Sequence, residues 1–349
     1  LDRWIETFRK EGVTWIEGGH ATSRENNWFS PYVWIRFAVE GPDGRLLNTW
    51  PASAEHEQNS YFRSHRLFSH PDRPGMTHEE FEPYAEAFYR LVYAHLKEKG
   101  WADRFVQHIG DEPVPENQES WKRRAKSMRE WMPGVPIVDA VMLEGLDGLI
   151  DIRVPQIQDT KPAGERPASE EMWSYVCLYP QQEYPNRFLD YPSIRNRILF
   201  WLSWNRGLTG FLHWGYNSWR TWQNVPAEVD VSPWLDATGG SIYVADRMPL
   251  PAGDPHIVYP GRDRICSSIR WEVVRKGIED FEYLHLIEEA VTHPRADAPR
   301  EAVEAGRKLL ERVRTEIAAA PDNHTRDDAL LLRTREEAGE LLAALAREE

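Results

Sequence analysis

Asp111 and Glu112 stand side by side in Gly110-Asp111-Glu112-Pro113, directly after the apolar run Arg104–Ile109. In a regular strand, adjacent side chains point to opposite faces. At a strand end before a proline that alternation breaks, so both carboxyls can enter one pocket. Crowded there, one of the two holds its proton toward neutral pH, which a general acid must do. An exposed turn is the plain alternative, because Gly, Asp and Pro are ordinary turn residues.

Two aromatic patches could line the same cleft. Trp173 and Tyr175 are two apart and so share one face of a strand. The string His213-Trp214-Gly215-Tyr216-Asn217, with Trp219 beyond it, follows another apolar run. Flat rings with a polar handle suit sugar faces, and His213 and Asn217 can hydrogen-bond hydroxyls. Core burial and loop capping are the alternatives for these residues. His20, in Gly18-Gly19-His20 near Asn26-Asn27-Trp28, marks either a substrate loop or a turn.

Other chemistries find little support. His65, His70 and His78 lack metal-ligand spacing, and there is no HExxH, phosphate loop or G-x-S-x-G elbow. Cys177 and Cys266 match no zinc spacing and read as two small buried hydrophobes. Arg270, Glu272, Arg275, Glu279 and Asp280 read as a structural ion network along one helix. The 16 tryptophans, beside 13 tyrosines and 12 phenylalanines, lean toward carbohydrate. A net charge of −14, from 42 basic and 56 acidic residues, argues against nucleic acid as a partner. No apolar run approaches the roughly 20 residues of a membrane-spanning helix, and no signal peptide opens the chain.

The elements that must hold these residues alternate in type. Spacing predicts a helix from Leu1 to Gly12, a strand at Val13–Ile16, and a loop at Glu17-Gly18-Gly19-His20. A hairpin follows, Tyr32–Glu40 returning through Leu46 and Leu47. Helices at 77–100, 120–132 and 193–206 interleave with strands at 104–109, 137–141, 149–154, 172–178 and 209–214. Thr77 and Glu80 form a capping box. The stretch 218–264 breaks the pattern as an excursion, and helices at 269–290, 298–319 and 326–346 close the chain. This order favours a parallel sheet with crossover helices. The expectation is an α/β fold, a (β/α)8-type TIM barrel over 1–290 with a C-terminal helical segment, 291–349, packed on it. Because the chain opens on a helix, the barrel's first strand is expected to be missing from it. Glu17 and Asp139 are further carboxylates at strand ends, where a barrel keeps its active face.

Three strings carry a family resemblance. Gly210-Phe211-Leu212-His213-Trp214-Gly215-Tyr216-Asn217, the turn Val258-Tyr259-Pro260-Gly261, and Ser268-Ile269-Arg270-Trp271-Glu272 running on to Gly277-Ile278-Glu279-Asp280-Phe281-Glu282-Tyr283-Leu284 resemble glycoside hydrolase family 123. The likeness spans residues 80–290 and is strongest over 210–284. It implies a catalytic barrel, usually preceded by a β-sandwich domain, and an adjacent Asp-Glu pair that Asp111 and Glu112 match. It also implies a β-N-acetylgalactosaminidase in which the substrate's own 2-acetamido carbonyl is the nucleophile. Glu112 would then protonate the leaving oxygen and activate water, while Asp111 orients the acetamido group and stabilises an oxazolinium intermediate. Tyr175 and Tyr216 are both candidates to touch the acetamido oxygen. No metal or organic cofactor is implied, the partner is an oligosaccharide or glycoconjugate, and export from the cell is expected. Two other functions stay open on the residues alone. One is a barrel glycosidase for a different sugar, with Glu17 or Asp139 as nucleophile; the other is a carbohydrate-binding protein without catalysis.

Overall fold

Strand and helix alternate only in part: among the described residues the strands Ile137–Ala140, Ile152–Val154 and Glu171–Tyr175 follow one another with no α-helix between them. The computed structural model describes residues 1–25, 27–37, 39–44, 47, 76–167, 170–219, 232–238 and 250–346. Its contacts fall into two units, Leu1–Val154 and Pro155–Glu349.

The N-terminal unit contains α1 (Asp2–Lys10), β1 (Ile16–Gly18), β2 (Thr22–Arg24), β3 (Tyr32–Trp34), α2 (His78–Glu98), β4 (Phe105–His108), α3 (Gln118–Trp131), β5 (Ile137–Ala140) and β6 (Ile152–Val154). Strands β1, β4, β5 and β6 are neighbours in that order, and β1 with β4, β4 with β5 and β5 with β6 are parallel pairs. Helix α2 starts where the sequence demands: the Thr77 hydroxyl accepts the Glu80 N–H, and the Glu80 carboxylate accepts the Thr77 N–H. Ile16, Phe105, Ile109 and Ile137 bury one side of the sheet against Phe81, Leu96, Trp121 and Met128 of the helices. Full burial of each such side chain contributes on the order of 1.5–3 kcal/mol.

Two local expectations shift here. The first strand is Ile16–Gly18, so Glu17 and Gly18 lie in the sheet, whereas Val13 and Trp15 are exposed. Gly18 is required there, because a Cβ would come 2.6 Å from Gln107 Oε1 and 2.9 Å from the Phe105 ring. The hairpin is also relocated, since Tyr32–Trp34 pairs antiparallel with the upstream Thr22–Arg24. Leu47 N–H still donates to Val39 O at 2.7 Å, but Leu46 lies outside the described residues. So do Asn26, His65 and His70, and residues 220–231 and 239–249 of the predicted excursion.

The C-terminal unit contains β7 (Glu171–Tyr175), α4 (Ile194–Arg206), β8 (Gly210–Leu212), the short antiparallel pair β9 (Tyr259–Pro260) and β10 (Ile265–Cys266), α5 (Ile269–Thr292), α6 (Arg300–Arg312) and α7 (Asp328–Ala346). Strands β7 and β8 are parallel. Helix α4 ends at Gly207, whose φ of 62° suits a residue without Cβ. Trp201, Leu284, Ile287, Leu309 and Leu331 share one core, which binds the closing helices to α4 and α5. The predicted ion network on α5 divides in two. Arg275 pairs with Glu272 and Glu279 in solvent, while Asp280 is buried and accepts from Arg197, Trp201 and Arg335. Arg270 is buried too, and donates to the carbonyls of Arg187, Gly253 and His256. Neither cysteine is fully buried. Among the described residues the strands in parallel pairs number six, four in the first unit and two in the second, where a complete barrel of the expected type has eight. No described helix is long and apolar enough to cross a membrane.

Candidate active site

Strand β4 stops at His108, and the chain turns through Gly110-Asp111-Glu112. Backbone bonds from Ala21 to His108 O (3.1 Å) and from Thr22 to Ile109 O (2.8 Å) lay the β2–β3 hairpin along this end. The hairpin delivers two side chains that grip the turn. Arg24, almost wholly buried, donates through Nη2 to the carbonyls of both Asp111 (2.5 Å) and Glu112 (2.7 Å). Tyr32 donates its hydroxyl to the same Asp111 carbonyl. Arg24 lies 3.6 Å above the Trp28 ring centroid, which stacks a cation on an aromatic face. Gly110 makes room for the arrangement: a Cβ there would lie 2.5 Å from the Tyr32 ring.

The grip holds an unusual backbone. Glu112 has φ of 44°, a left-handed conformation that costs a residue with Cβ about 1–2 kcal/mol. Its N–H donates to Ala140 O at 3.1 Å, so the strain is fixed from both sides of the peptide. Asp111 and Glu112 are both half-buried. The positive φ of Glu112 interrupts the strand alternation at this point.

A second network lies behind the turn. His108 Nδ1 faces Asp139 Oδ1 at 3.0 Å, and His108 Nε2 faces Glu17 Oε1. Burial alone would lower the pKa of His108, but its bonds to the two carboxylates outweigh that and raise it to about 10. It is therefore an imidazolium with both N–H groups donating. The second oxygen of Asp139 accepts from Gly110 N–H (2.9 Å) and from the Trp121 indole (2.7 Å). Burial pushes the Glu17 carboxyl up, but the His108 hydrogen bond and nearby His20 carry it below the usual range. The His20 ring meets the His108 ring edge-on at 5.1 Å.

Ligand atoms of His20, His108 and Asp139 lie within 4.8 Å of one another, the one such grouping among the described residues. Both His108 nitrogens and both Asp139 oxygens are already engaged with protein partners, so the donor set is satisfied by protons rather than arranged around an ion. Asp139 is fully enclosed and so is no accessible nucleophile. The side chain of Glu17, in contrast, is 50 % exposed.

The remaining predicted residues belong to the C-terminal unit. Trp173 lies over Gly210 of β8 and donates its indole N–H to Glu171 at 3.0 Å. Tyr175 is buried, and its hydroxyl accepts from Gln156 at 3.2 Å. Trp214 donates to Asp254 Oδ1 at 3.3 Å, and Trp219 to Val258 O at 2.8 Å. Tyr216 is exposed, with its ring edge-on to Trp271 at 5.3 Å. Asn217 is exposed and bridges backbone to His256. Burial drives the His213 imidazole well below its usual pKa, with Arg187 adding to the effect, so this ring is neutral. Around it lie Arg187, Asp254, His256 and Arg270, all buried and none singled out as a site from sequence. Burial raises the Asp254 carboxyl to about 6 and lowers His256 to about 4.

Sequence reading also missed Arg24, Tyr32 and His108. The available signal was slight: a histidine just before Gly110-Asp111-Glu112, and an arginine four residues before Trp28.

With this geometry in hand, comparison with known proteins is informative. The family model described as glycoside hydrolase 123, catalytic domain, matches residues 1–287. A solved structure of a family 123 glycoside hydrolase from Clostridium perfringens, studied for glycolipid glycan hydrolysis, is similar over 74% of this chain and 43% of its own, at 15% identity and a TM-score of 0.46. The chain thus spans less than half the length of that relative. No curated protein matches.

Proposed function

The chain belongs to glycoside hydrolase family 123, and from that premise we propose that it cleaves β-linked N-acetylhexosaminides, N-acetylgalactosamine foremost, with retention and with help from the substrate's own acetamido group. The observation that carries this reading is the Asp111–Glu112 turn, clamped by Arg24 and Tyr32 at the end of β4. Glu112 donates a proton to the glycosidic oxygen as the acetamido carbonyl oxygen closes on C1 and the C1–O bond breaks. The product is a cyclic oxazolinium, whose positive N–H is oriented and stabilised by the Asp111 carboxylate. Glu112, now a base, takes a proton from water, which attacks C1 and reopens the ring with overall retention. Two carboxyls on successive residues suit this division of labour, because neither has to reach C1 from the opposite face. Closure of the parallel strands into a full barrel, and work outside the cell on oligosaccharide or glycoconjugate, form part of the same proposal.

The test is release of 4-nitrophenol from the β-N-acetylgalactosaminide, the glucosaminide and the plain galactoside. Turnover only of acetamido substrates is expected, with Glu112→Gln and Asp111→Asn each lowering kcat by roughly 10²–10⁴-fold. Hydrolysis of the plain galactoside at a comparable rate would remove the acetamido group from the mechanism.

A further inference from the structure

Glu17 is the one carboxylate of the His108 network that meets solvent. It sits on β1, adjacent to β4, which leads into Asp111 and Glu112, and in the parallel register it lies beside Val106. One of its oxygens is bound by the buried His108, and the side chain is 50 % exposed. An isolated surface glutamate would wave through many rotamers. This one is anchored at its tip to an enclosed cation that is itself anchored to Asp139. The result is a fixed anion on the strand beside the one that leads into the catalytic turn.

Position limits what this anion can meet. In the proposed reaction Glu112 attends the C1 oxygen and Asp111 the C2 acetamido group, so the turn takes up one edge of the sugar. Register sets Glu17 back along the neighbouring strand, beside Val106, and away from C1 and the acetamido group the sugar offers chiefly hydroxyls. An ionised carboxylate only accepts hydrogen bonds, and hydroxyls donating to it form short, strong ones. We propose that Glu17 is a recognition residue that accepts hydrogen bonds from the C3–C4 hydroxyl edge of the sugar bound at Asp111 and Glu112. The inference rests on the reading of function above and adds to it the group that senses the configuration at C4.

Binding of N-acetylgalactosamine and of its 3-deoxy and 4-deoxy analogues, measured by calorimetry on wild type, Glu17→Ala and Glu17→Gln, tests the assignment. Wild type is expected to bind at least one deoxy sugar roughly ten- to a hundredfold more weakly than the parent, the value of a hydrogen bond to a charged group. In Glu17→Ala that gap should close to below about threefold, because both sugars then lack the contact. Glu17→Gln, which keeps an acceptor but no charge, should fall between. A merely structural Glu17 would weaken all three sugars by one common factor and keep the gap, which overturns the proposal; so does a wild type that binds none of them or shows no gap. The 4-nitrophenyl panel separates the two claims. Turnover without a Glu17-dependent gap sinks only the recognition role, and a Glu17-dependent gap without turnover sinks only the hydrolase mechanism.

Discussion

The turn at Asp111–Glu112 and the buried cluster around Arg187 and Asp254 both withdraw charged groups from water, yet they are satisfied to very different degrees. At the turn, Gly110 N–H, the carbonyls of Asp111 and Glu112, Glu112 N–H and both oxygens of Asp139 all have partners, whereas Arg24 Nε has none among the described residues. In the cluster, Arg187 Nε, His213 Nε2, Asp254 Oδ2, both His256 nitrogens and Arg270 Nε have none among the described residues. A buried polar group with partners rigidifies its surroundings, whereas one without them carries a desolvation cost of about 1–3 kcal/mol. The contrast separates a place that must hold a strained backbone in one geometry from a place that tolerates leftover polarity. It also suggests where substitutions will hurt.

The largest effect should come from Gly110→Ala. The new methyl would sit 2.5 Å from a buried Tyr32 ring that is itself bonded to the turn, so ring and turn must part. Overpacking of this kind costs about 1–3 kcal/mol in stability. The displacement of Glu112 is expected to lower kcat/KM by about a hundredfold or more, since misplacement of about 1 Å can cost that much. A variant with wild-type kinetics would show that the turn is looser than its contacts imply.

Arg24→Met comes next. It removes two charge-assisted bonds to successive carbonyls while keeping an apolar side chain against Trp28. With each bond worth about 1.5–3 kcal/mol, kcat should fall by roughly ten- to a hundredfold with KM little changed. Arg24→Lys should recover part of the loss. A fall in thermal stability with kcat intact would instead give Arg24 a purely architectural role.

Acid should divide the two regions by a smaller margin. His256 is held at about 4, below its unfolded value, so the stability it contributes is present above about 6.5 and lost as pH falls toward 4. His213 acts in the same sense. Asp254, raised to about 6, works the other way and returns some stability as pH drops through that value. His108, raised to about 10, contributes fully below about 6.5 and loses its contribution only as pH climbs toward 10. Amide exchange at pH 5, corrected for intrinsic rates and compared with pH 7.5, should therefore quicken at 208–219 and 250–258 and stay level at 105–112. Asp254→Asn removes the opposing group and should steepen the change. Equal quickening in both regions would erase the distinction.

The smallest expected change is Arg187→Met. Among the described residues its guanidinium makes one hydrogen bond, a long one of 3.4 Å to Val176 O, and burial holds its pKa down at about 9. Replacing such a group with an apolar one of similar size should alter stability by no more than about 1 kcal/mol, in either direction. A loss of several kcal/mol on denaturant unfolding would show that its charge is compensated after all.

How far these regions can be read from sequence depends on the range of the interactions that build them. Helix α2 begins at Thr77 and α4 stops at Gly207 because caps are written within a few residues of one another. The Asp111–Glu112 pair was visible for the same reason, as a local string after an apolar run. Arg24 was not, because the carbonyl that it binds lies 87 residues away and nothing in its own neighbourhood announces it. The left-handed Glu112 was equally hidden, since glutamate has no preference for that conformation and only the surrounding bonds impose it. The first strand begins at Ile16, three residues later than expected, where it meets Phe105 and Gln107, again distant in sequence.

The carboxylate of Asp280 carries a lesson about how far the folded interior reaches past the family match. Similarity to the family stops at residue 287, yet Asp280 is bonded to Arg335, and Leu284 and Ile287 share their core with Leu309 and Leu331. A chain cut at 287 would inherit the whole family match and lose one side of its own interior. Its apolar helix faces would meet water, and such material should collect in inclusion bodies or with chaperones. The unit that homology recognises and the unit that physics folds close at different residues.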